Sequence, residues 1–439
     1  MPPKTRTASK IQPVHREFGG IPGSFVLITT LPWLVIFLMT AASNGSIPFD
    51  GPGLKALLED TYSHVYTSIL DIAAYKAYVC WWTGLAMMRV IIPCRKFDGL
   101  PNRDGSVLTY NLNALTSLII LCIVLTLRGF ATSWQLPELQ FLYDHLFGMA
   151  IAAIFFSIAQ AVWVYLYSFR SSKPLLAAGG DTGSVIYDFY IGRELNPMIG
   201  SFELKVFNEL RPGLILWIMI NLAMCHHQFI AYGKVSSGLI LVTLMEGFYV
   251  LESLYNEDKV LSTMDVVSDG FGFMLSFGDL ALVPFTYSLQ AQFLTDRPEI
   301  ELSFFEIAAI AALQAIGYII FRKTNSQKDW FRHLTPAERK ASGYKFIKSP
   351  TGRSLLADGW WGYSRHINYF GDWLMAWSWC LAAGVSGLKS RVCLFYVIYF
   401  AVLLIHRERR DDEKCANQHK QAWTEYKKLV PWRIIPYVY

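Results

Sequence analysis

The stretch PGSFVLITTLPWLVIFLMTAAS, residues 22–43, contains no Asp, Glu, Lys or Arg. As a helix it would be roughly 33 Å long, which matches a hydrocarbon core about 30 Å thick. Similar low-charge runs recur along the 439-residue chain, in which 53% of residues are hydrophobic and 17% are charged. We therefore predict an all-α, polytopic integral membrane protein with about ten transmembrane helices. The predicted spans are 22–43, 73–93, 108–127, 146–169, 213–232, 237–256, 267–292, 303–321, 372–387 and 391–406.

The basic residues are distributed unevenly between these spans. Four Lys and Arg precede the first span, residues 322–371 carry ten, and the segment from Arg407 onward carries eight. Because cytoplasmic loops are enriched in Lys and Arg, this pattern predicts that both termini are cytosolic. We divide the chain into a cytosolic N-terminal tail (1–21), transmembrane helices 1–8 (22–321) and a C-terminal region (322–439) that includes helices 9 and 10.

Composition also argues against several other classes of protein. The seven cysteines are scattered, without a CxxC pair or the spacing of zinc ligands. The run Cys225-His226-His227 has no further ligands beside it, so we expect no metal site. The net charge of +5 is modest and gives no reason to expect a nucleic-acid partner.

Several acidic residues fall within or beside the sixth and seventh predicted spans. They are Glu246, Glu252, Asp265, Asp269 and Asp279. A carboxylate inside a membrane is costly and usually faces a cavity or a partner. Asp265 and Asp269 could instead cap the seventh span. Glu246, near mid-span and three residues before Tyr249, favours a polar cavity.

The cytosolic segment 322–371 combines basic and aromatic residues. Lys328 and Arg332 stand four apart, so they share a face if the segment is helical. An arginine fork and a lysine point charge suit a phosphate monoester, although a basic cluster that touches anionic lipid has the same composition. Residues 359–372, GWWGYSRHINYFGD, then pack donors, acceptors and flat rings into one short stretch, as a nucleotide requires.

The tail after the last span has a helical stripe. Arg407, Asp411 and Cys415 recur every four residues and would share one face of a helix that continues the span. No GxGxxG motif follows a strand pattern, so a dinucleotide would not be held in the manner of a Rossmann fold.

These motifs together resemble the sterol reductase family of the endoplasmic reticulum. The resemblance runs from Glu17-Phe18-Gly19-Gly20 to Arg433-Ile434-Ile435-Pro436-Tyr437. The matching stretches are YDFYIGRELNP (187–197), TMD (263–265), DGFGFM (269–274), NSQK (325–328) and WGYSRHINYFGD (361–372). The segment EFGG and the GWWG run are most similar to the Δ14 reductases of compact, fungal type. Two positions depart from the family pattern, because Ala281-Leu282 stands where a Trp is common and Ile367 stands where a Pro is usual.

The resemblance implies a cofactor, a substrate and a location. It implies that NADPH binds in the C-terminal region and that the chain reduces the C14=C15 double bond of an 8,14-dienol sterol in the endoplasmic reticulum membrane. Carried over motif by motif, Lys328 and Arg332 would hold the 2′-phosphate. The other implied cofactor-binding residues are Leu356, Trp361, Asn368, Tyr369, Asp411, Cys415, Ala416, Asn417, Gln418, His419 and Tyr426.

The implied chemistry is proton addition followed by hydride addition. An isolated alkene has no carbonyl to polarise, so protonation at C15 should precede hydride transfer to C14, and we predict Tyr249 and Asp411 as catalytic residues. The sequence leaves alternatives open: a Δ7 or Δ24(28) reductase, a non-catalytic sterol-binding protein, or a membrane methyltransferase with a similar Arg-His-x-x-Tyr run. The oligomeric state is not predicted.

Overall fold

The computed structural model describes residues 16–172 and 174–439, and the described chain is largely helical. The basic residues Lys4, Arg6 and Lys10 of the predicted tail lie outside the described residues. The helices up to residue 255 are α1 (Gly20–Asn44), α2 (Gly51–Ser68), α3 (Ile72–Ile91), α4 (Ala114–Ala131), α5 (Pro137–Asp144), α6 (Leu146–Tyr167), α7 (Val185–Ile191), α8 (Leu204–Leu210), α9 (Pro212–Tyr232) and α10 (Ser237–Tyr255). The later ones are α11 (Glu257–Val260), α12 (Met264–Val267), α13 (Phe273–Phe277), α14 (Val283–Tyr287), α15 (Leu289–Thr295), α16 (Phe304–His333), α17 (Pro336–Ala341), α18 (Ile367–Leu381), α19 (Gly384–Ser390), α20 (Leu394–His419) and α21 (Gln421–Leu429).

Strands are short and occur as three antiparallel pairs among the described residues. They are β1 (Arg95–Asp98) with β2 (Thr109–Leu112), β3 (Met198–Ile199) with β4 (Phe202–Glu203), and β5 (Phe346–Lys348) with β6 (Ser354–Leu356). None is long enough to cross a membrane. The turn of the last pair carries Arg353.

The prediction of an all-α polytopic membrane protein is confirmed. Six described helices are long and apolar enough to cross a membrane, and the bent pair α19 and α20 would make a seventh span. The six are α1, α4, α6, the continuous segment Leu204–Tyr232, α10 and α16. The predicted count of ten therefore stays a prediction.

The predicted span 267–292 is broken into several pieces. The N-cap of α13 is Gly272. One interpretation of the sequence, in which Asp265 and Asp269 cap this span, is therefore wrong for α13. A π-helical segment (Gly278–Leu282) then separates α13 from α14. A π turn leaves helix carbonyls poorly aligned. Here the Tyr78 hydroxyl donates to the Leu280 carbonyl oxygen at 3.0 Å, which satisfies one of them.

The described residues divide into two compact units. The first contains residues 16–40, 55–226 and 248–288, and the second contains 41–54, 227–247 and 289–439. In the first unit Arg89 and Glu203 form a buried ion pair. The buried Lys205 ammonium donates to the carbonyl oxygens of Asp269 and Val266 at 2.6 and 3.1 Å. The charges of Arg89, Glu203 and Lys205 are therefore compensated or hydrogen-bonded within this unit.

The second unit is organised by a close crossing of α16 and α18. A Cβ placed on Gly371 would lie 2.7 Å from the Gly317 carbonyl oxygen, and one on Gly317 would lie 2.7 Å from the Gly371 carbonyl oxygen. Only glycine permits this approach of the two backbones. One turn before Gly317 on α16, the Gln314 amide oxygen accepts from the Ser378 hydroxyl at 2.6 Å and from the Trp379 indole N–H at 3.1 Å. These contacts fix α18 against α16.

Candidate functional site

The end of α16 extends beyond the thickness of a bilayer. The helix begins with a capping box at Ser303 and Glu306 and runs for 30 residues. At 1.5 Å per residue it is about 45 Å long, whereas hydrocarbon is about 30 Å thick. Its last three turns, which carry Lys328 and Arg332, therefore project from the apolar part of the helix.

Lys328 lies against an aromatic ring. Its ammonium is 4.1 Å from the centre of the Trp361 ring, a cation–π contact. Trp361 is 3% exposed, and its indole N–H donates to the Thr324 carbonyl oxygen at 2.9 Å. The backbone N–H of Trp360 donates to the Gln327 amide oxygen at 3.0 Å. The GWWG turn is thus docked on the same turns of α16 that carry the basic residues.

The turn between β5 and β6 adds a third cation. The exposed Arg353 lies within electrostatic range of both Arg332 and His419. We name Lys328, Arg332 and Arg353 the cationic cluster. In the part of the chain that the structure describes, no carboxylate lies within 4.0 Å of Lys328 or Arg332. Asp411 acts on both cations only from a longer distance. Cations without a close carboxylate, beside a flat ring, are suited to a phosphate-bearing ligand.

His419 connects the last turn of α20 to this hairpin. Its Nδ1 lies 2.6 Å from the Ser349 hydroxyl, and the Thr351 hydroxyl is 3.5 Å from the same nitrogen. Ser349 and His419 are buried, 7% and 4% exposed. The contact orders the turn that carries Arg353.

Asn368 presents an unsatisfied acceptor. Its amide nitrogen donates to the Asn325 side-chain oxygen at 3.3 Å, which joins the start of α18 to α16. Its buried oxygen Oδ1 has no hydrogen-bond partner among the described residues. Because an orphaned buried acceptor is costly, a ligand that donates a hydrogen bond would be stabilised here.

His366 and Asp411 form the polar centre of the site. The His366 Nε2 lies 3.6 Å from a carboxylate oxygen of Asp411, and the imidazole stacks on the Tyr369 ring at 4.9 Å. The Cys415 thiol donates to the same Asp411 oxygen at 3.7 Å. Burial lowers the pKa of His366 to about 4, an effect that the Asp411 charge opposes and the Lys328 charge strengthens. The imidazole is therefore neutral at physiological pH.

Apolar residues close two sides of the site. Leu356 and Trp361 pack with Phe331 in one buried cluster. Tyr426 packs with Ala357, Trp423 and Val430 in another, against Cys415 and Ala416. Burial raises the pKa of Tyr426, so this phenol stays neutral.

The predicted cofactor-binding residues all belong to the second unit. Among them, contacts connect Lys328 with Trp361, and Asp411 with Cys415. Asn417 and Gln418 are exposed on the last turn of α20. Tyr249, the other predicted catalytic residue, belongs to the first unit, where its ring lies 6.1 Å from that of Trp217.

Several residues of the site were not selected from the sequence. His366 sits inside the quoted run 359–372, and its aromatic, titratable side chain beside Asn368 was an available signal. Asn325 lies in the quoted run 325–328 but was not selected, and Ser349 and Arg353 become visible only through the contacts described above. No group of three or more His, Cys, Asp or Glu within the described residues could hold a metal ion.

The apolar helices define a multi-pass membrane protein, and the cationic cluster with its neighbours is a candidate ligand site in residues 322–439. Residues 12–439 match the model of the ergosterol biosynthesis ERG4/ERG24 family, and the chain belongs to that family. The predicted relationship to sterol reductases is confirmed.

Curated relatives cover nearly the whole chain. The Delta(14)-sterol reductase ERG24 of Candida albicans is 42% identical and covers 98% of this chain and 100% of its own length. That of Saccharomyces cerevisiae is 44% identical, over 96% of this chain and 97% of its own. The Delta(14)-sterol reductase TM7SF2 of Mus musculus is 42% identical, over 96% and 97%.

Proposed function

We propose that the protein is an NADPH-dependent Δ14-sterol reductase. The full-length similarity to proteins of that name supports the reaction. The single observation that supports the cofactor is the cationic cluster, in which Lys328 lies against the Trp361 ring and neither Lys328 nor Arg332 has a carboxylate within 4.0 Å among the described residues. A second phosphate on the adenosine ribose distinguishes NADPH from NADH, and it is the group that such a cluster would select.

The residues present suit such a cofactor in three respects. Lys328 and Arg332 would hold the 2′-phosphate, with Arg353 nearby. Leu356, Trp361 and Tyr369 offer apolar and flat surfaces, and the Asn368 oxygen offers an acceptor that lacks a donor within the described chain. Asp411, residues 415–419 and Tyr426 would close the site from the tail. When bound, NADPH would supply the hydride.

The protein's part in the reaction is to deliver a proton and to exclude water. A proton adds to C15 of the sterol, which leaves a tertiary cation at C14, and hydride at C14 completes the reduction. Tyr249 and Asp411 are the proposed proton-handling residues. The neutral His366 next to Asp411 could donate a hydrogen bond from one ring nitrogen and accept one at the other.

The proposal includes a location and a substrate. The sterol would be an 8,14-dienol dissolved in the endoplasmic reticulum membrane, both termini would be cytosolic, and residues 322–439 would form the cofactor-binding region. The projection of Lys328 and Arg332 beyond the apolar part of α16 supports a cofactor that arrives from water.

The sterol profile of cells that lack this chain tests the reaction. Accumulated 8,14-dienols, removed when the wild-type gene is restored, are the expected result. Accumulated 7-dehydrosterols or 24-methylene sterols would instead assign a different double bond. An unchanged profile would favour a sterol-binding role without catalysis.

Replacement of Asp411 tests the site. The Asp411→Ala variant should lose NADPH-dependent turnover in microsomes, whereas Glu413→Ala, an exposed carboxylate on the same helix, should retain it. Stabilisation of the purified protein by S-adenosylmethionine but not by NADPH would indicate a methyltransferase and contradict the proposal.

A further inference from the structure

Glu408 is a completely buried carboxylate that binds two arginines. It lies on α20, one turn before Asp411, and is 0% exposed. Its Oε2 accepts from Nη1 of Arg433 at 2.9 Å, and its Oε1 lies 3.6 Å from Nη2 of Arg365. One negative charge thus serves two guanidinium groups.

Both arginines determine where His366 lies. Arg365 precedes it in the chain, and the backbone N–H of His366 donates to the Arg433 carbonyl oxygen at 2.8 Å. Arg365 also donates from its backbone N–H to the Trp432 carbonyl oxygen at 2.9 Å. The side chain of Arg365 donates to the carbonyl oxygens of Val430 and Pro431 at 3.2 and 3.1 Å.

A third contact completes the attachment. The Ser364 hydroxyl donates to the Ile434 carbonyl oxygen at 2.8 Å. Residues 364–366 are therefore held, one after another, by the segment 430–434, which we name the C-terminal strap. Glu408 is the only described carboxylate within 4.0 Å of either arginine.

The helix α20 therefore carries both Glu408, which anchors the C-terminal strap, and Asp411, against which His366 is held. Glu408 and Asp411 are three residues apart, so they share a face of the helix. Glu408 binds the C-terminal strap through Arg433 and binds residues 364–366 through Arg365. Residues 364–366 in turn hold the His366 imidazole 3.6 Å from an Asp411 carboxylate oxygen and stacked on the Tyr369 ring. None of these contacts involves the cationic cluster.

We propose that Glu408 is a positioning residue for hydride transfer, which acts through Arg365 and Arg433 to hold His366 against Asp411 and Tyr369. This inference rests on the proposed function. Because Glu408 touches neither the cationic cluster nor Trp361, its loss should impair the reaction and spare the binding of the adenosine 2′-phosphate. A misplaced reacting group costs far more in turnover than in binding.

The test compares Glu408→Gln with wild type as full-length purified protein. The expected result is a kcat lower by about 10- to 100-fold and a Kd for 2′,5′-ADP within about twofold of wild type. The primary deuterium isotope effect with C4-deuterated NADPH should increase, because hydride transfer becomes slower than the other steps. Glu413→Gln, on the same helix and exposed, should match wild type in all three measurements.

A second pair of variants covers the outcome in which Glu408→Gln does not fold. Arg433 is partly exposed, so its replacement is milder. Arg433→Gln should raise the isotope effect, and Arg433→Lys, which keeps the charge, should restore it. These variants need no change at Glu408 itself.

Two results would overturn the inference in distinguishable ways. If turnover falls only in proportion to the folded fraction while the isotope effect stays at the wild-type value, Glu408 has a purely structural role. If wild type and Glu413→Gln both fail to reduce an 8,14-dienol with NADPH, the proposed function is wrong and the inference falls with it.

Discussion

The charged side chains buried in the first unit and those at the end of α16 in the second unit are arranged differently. In the first unit Arg89 pairs with Glu203, and Arg211 lies 3.8 Å from Glu257 and donates to the Asn113 side chain at 2.8 Å. In the second unit Lys328 and Arg332 have an aromatic ring and a further cation nearby, but no carboxylate within 4.0 Å among the described residues. The first arrangement compensates buried charge within the protein, whereas the second is suited to an anionic ligand.

Breaking a pair in the first unit should have the largest effect. Arg89→Ala leaves the Glu203 carboxylate, 3% exposed, without its partner, and we expect a loss of about 3–5 kcal/mol in the free energy of unfolding. Denaturant or thermal unfolding in detergent would measure it. The double variant Arg89→Met with Glu203→Leu removes both charges and should recover most of the loss. If it does not, the pairing of charge is not what stabilises this region.

The neutral His366 should make stability depend on pH. Its pKa in the folded protein is about 4, below the ordinary 6.5, because burial disfavours the charged ring. The unfolded chain therefore binds more protons between these values, so the free energy of unfolding should fall by up to about 3 kcal/mol as pH drops from 6.5 to 4. His366→Gln should lose this part of the slope. His333→Gln, at an exposed position, should keep it, and equal slopes for both variants would refute the assignment.

Removing a cation from the cluster should affect binding more than stability. Lys328→Ala should raise the KM for NADPH by about 10- to 100-fold, because one charge-assisted hydrogen bond is lost, and should leave the weaker use of NADH unchanged. The matched control is Lys323→Ala, an exposed lysine on the same helix. An equal loss for the two cofactors would show that Lys328 does not select the 2′-phosphate.

Replacement of Arg353 should have the smallest effect, and we expect that effect on NADPH binding. It is exposed, and exposed charges contribute little, so Arg353→Gln should weaken NADPH binding by about two- to fivefold. The effect should disappear at high salt, because screening removes it. Lys348→Gln, an exposed change on the neighbouring strand, should be neutral. A loss that persists in high salt would point to a direct hydrogen bond instead of a long-range charge.

The sequence predicted features that depend on neighbours along one helix. The long apolar runs of α1, α6 and α10 follow from composition, and the shared face of Lys328 and Arg332 follows from their spacing of four. The sequence did not locate the break within the predicted span 267–292, because the π-helical segment Gly278–Leu282 has no strong sequence signal beyond Gly278.

Contacts between distant residues could not be predicted. His366 and Asp411 are 45 positions apart, and nothing in either segment indicates the other. The same holds for Glu408 and Arg433, whose pairing depends on where the C-terminal strap folds back. Resemblance to a family supplied most of the site residues, since spacing alone favoured a lipid-binding basic cluster over a phosphate site for Lys328 and Arg332.

The close crossing of α16 and α18 at Gly317 and Gly371 affects which residues on the lipid-facing side of α16 can be replaced. Since a single methyl group cannot be accommodated at either position, the separation of α16 and α18 is set by main-chain atoms. Lipid-facing side chains of α16, such as the exposed Ile316 and Ile319, can then change with the bilayer in which the protein resides. The distance between Asn325 and Asn368 would stay the same, so adaptation to a new lipid environment would leave the proposed cofactor site undisturbed.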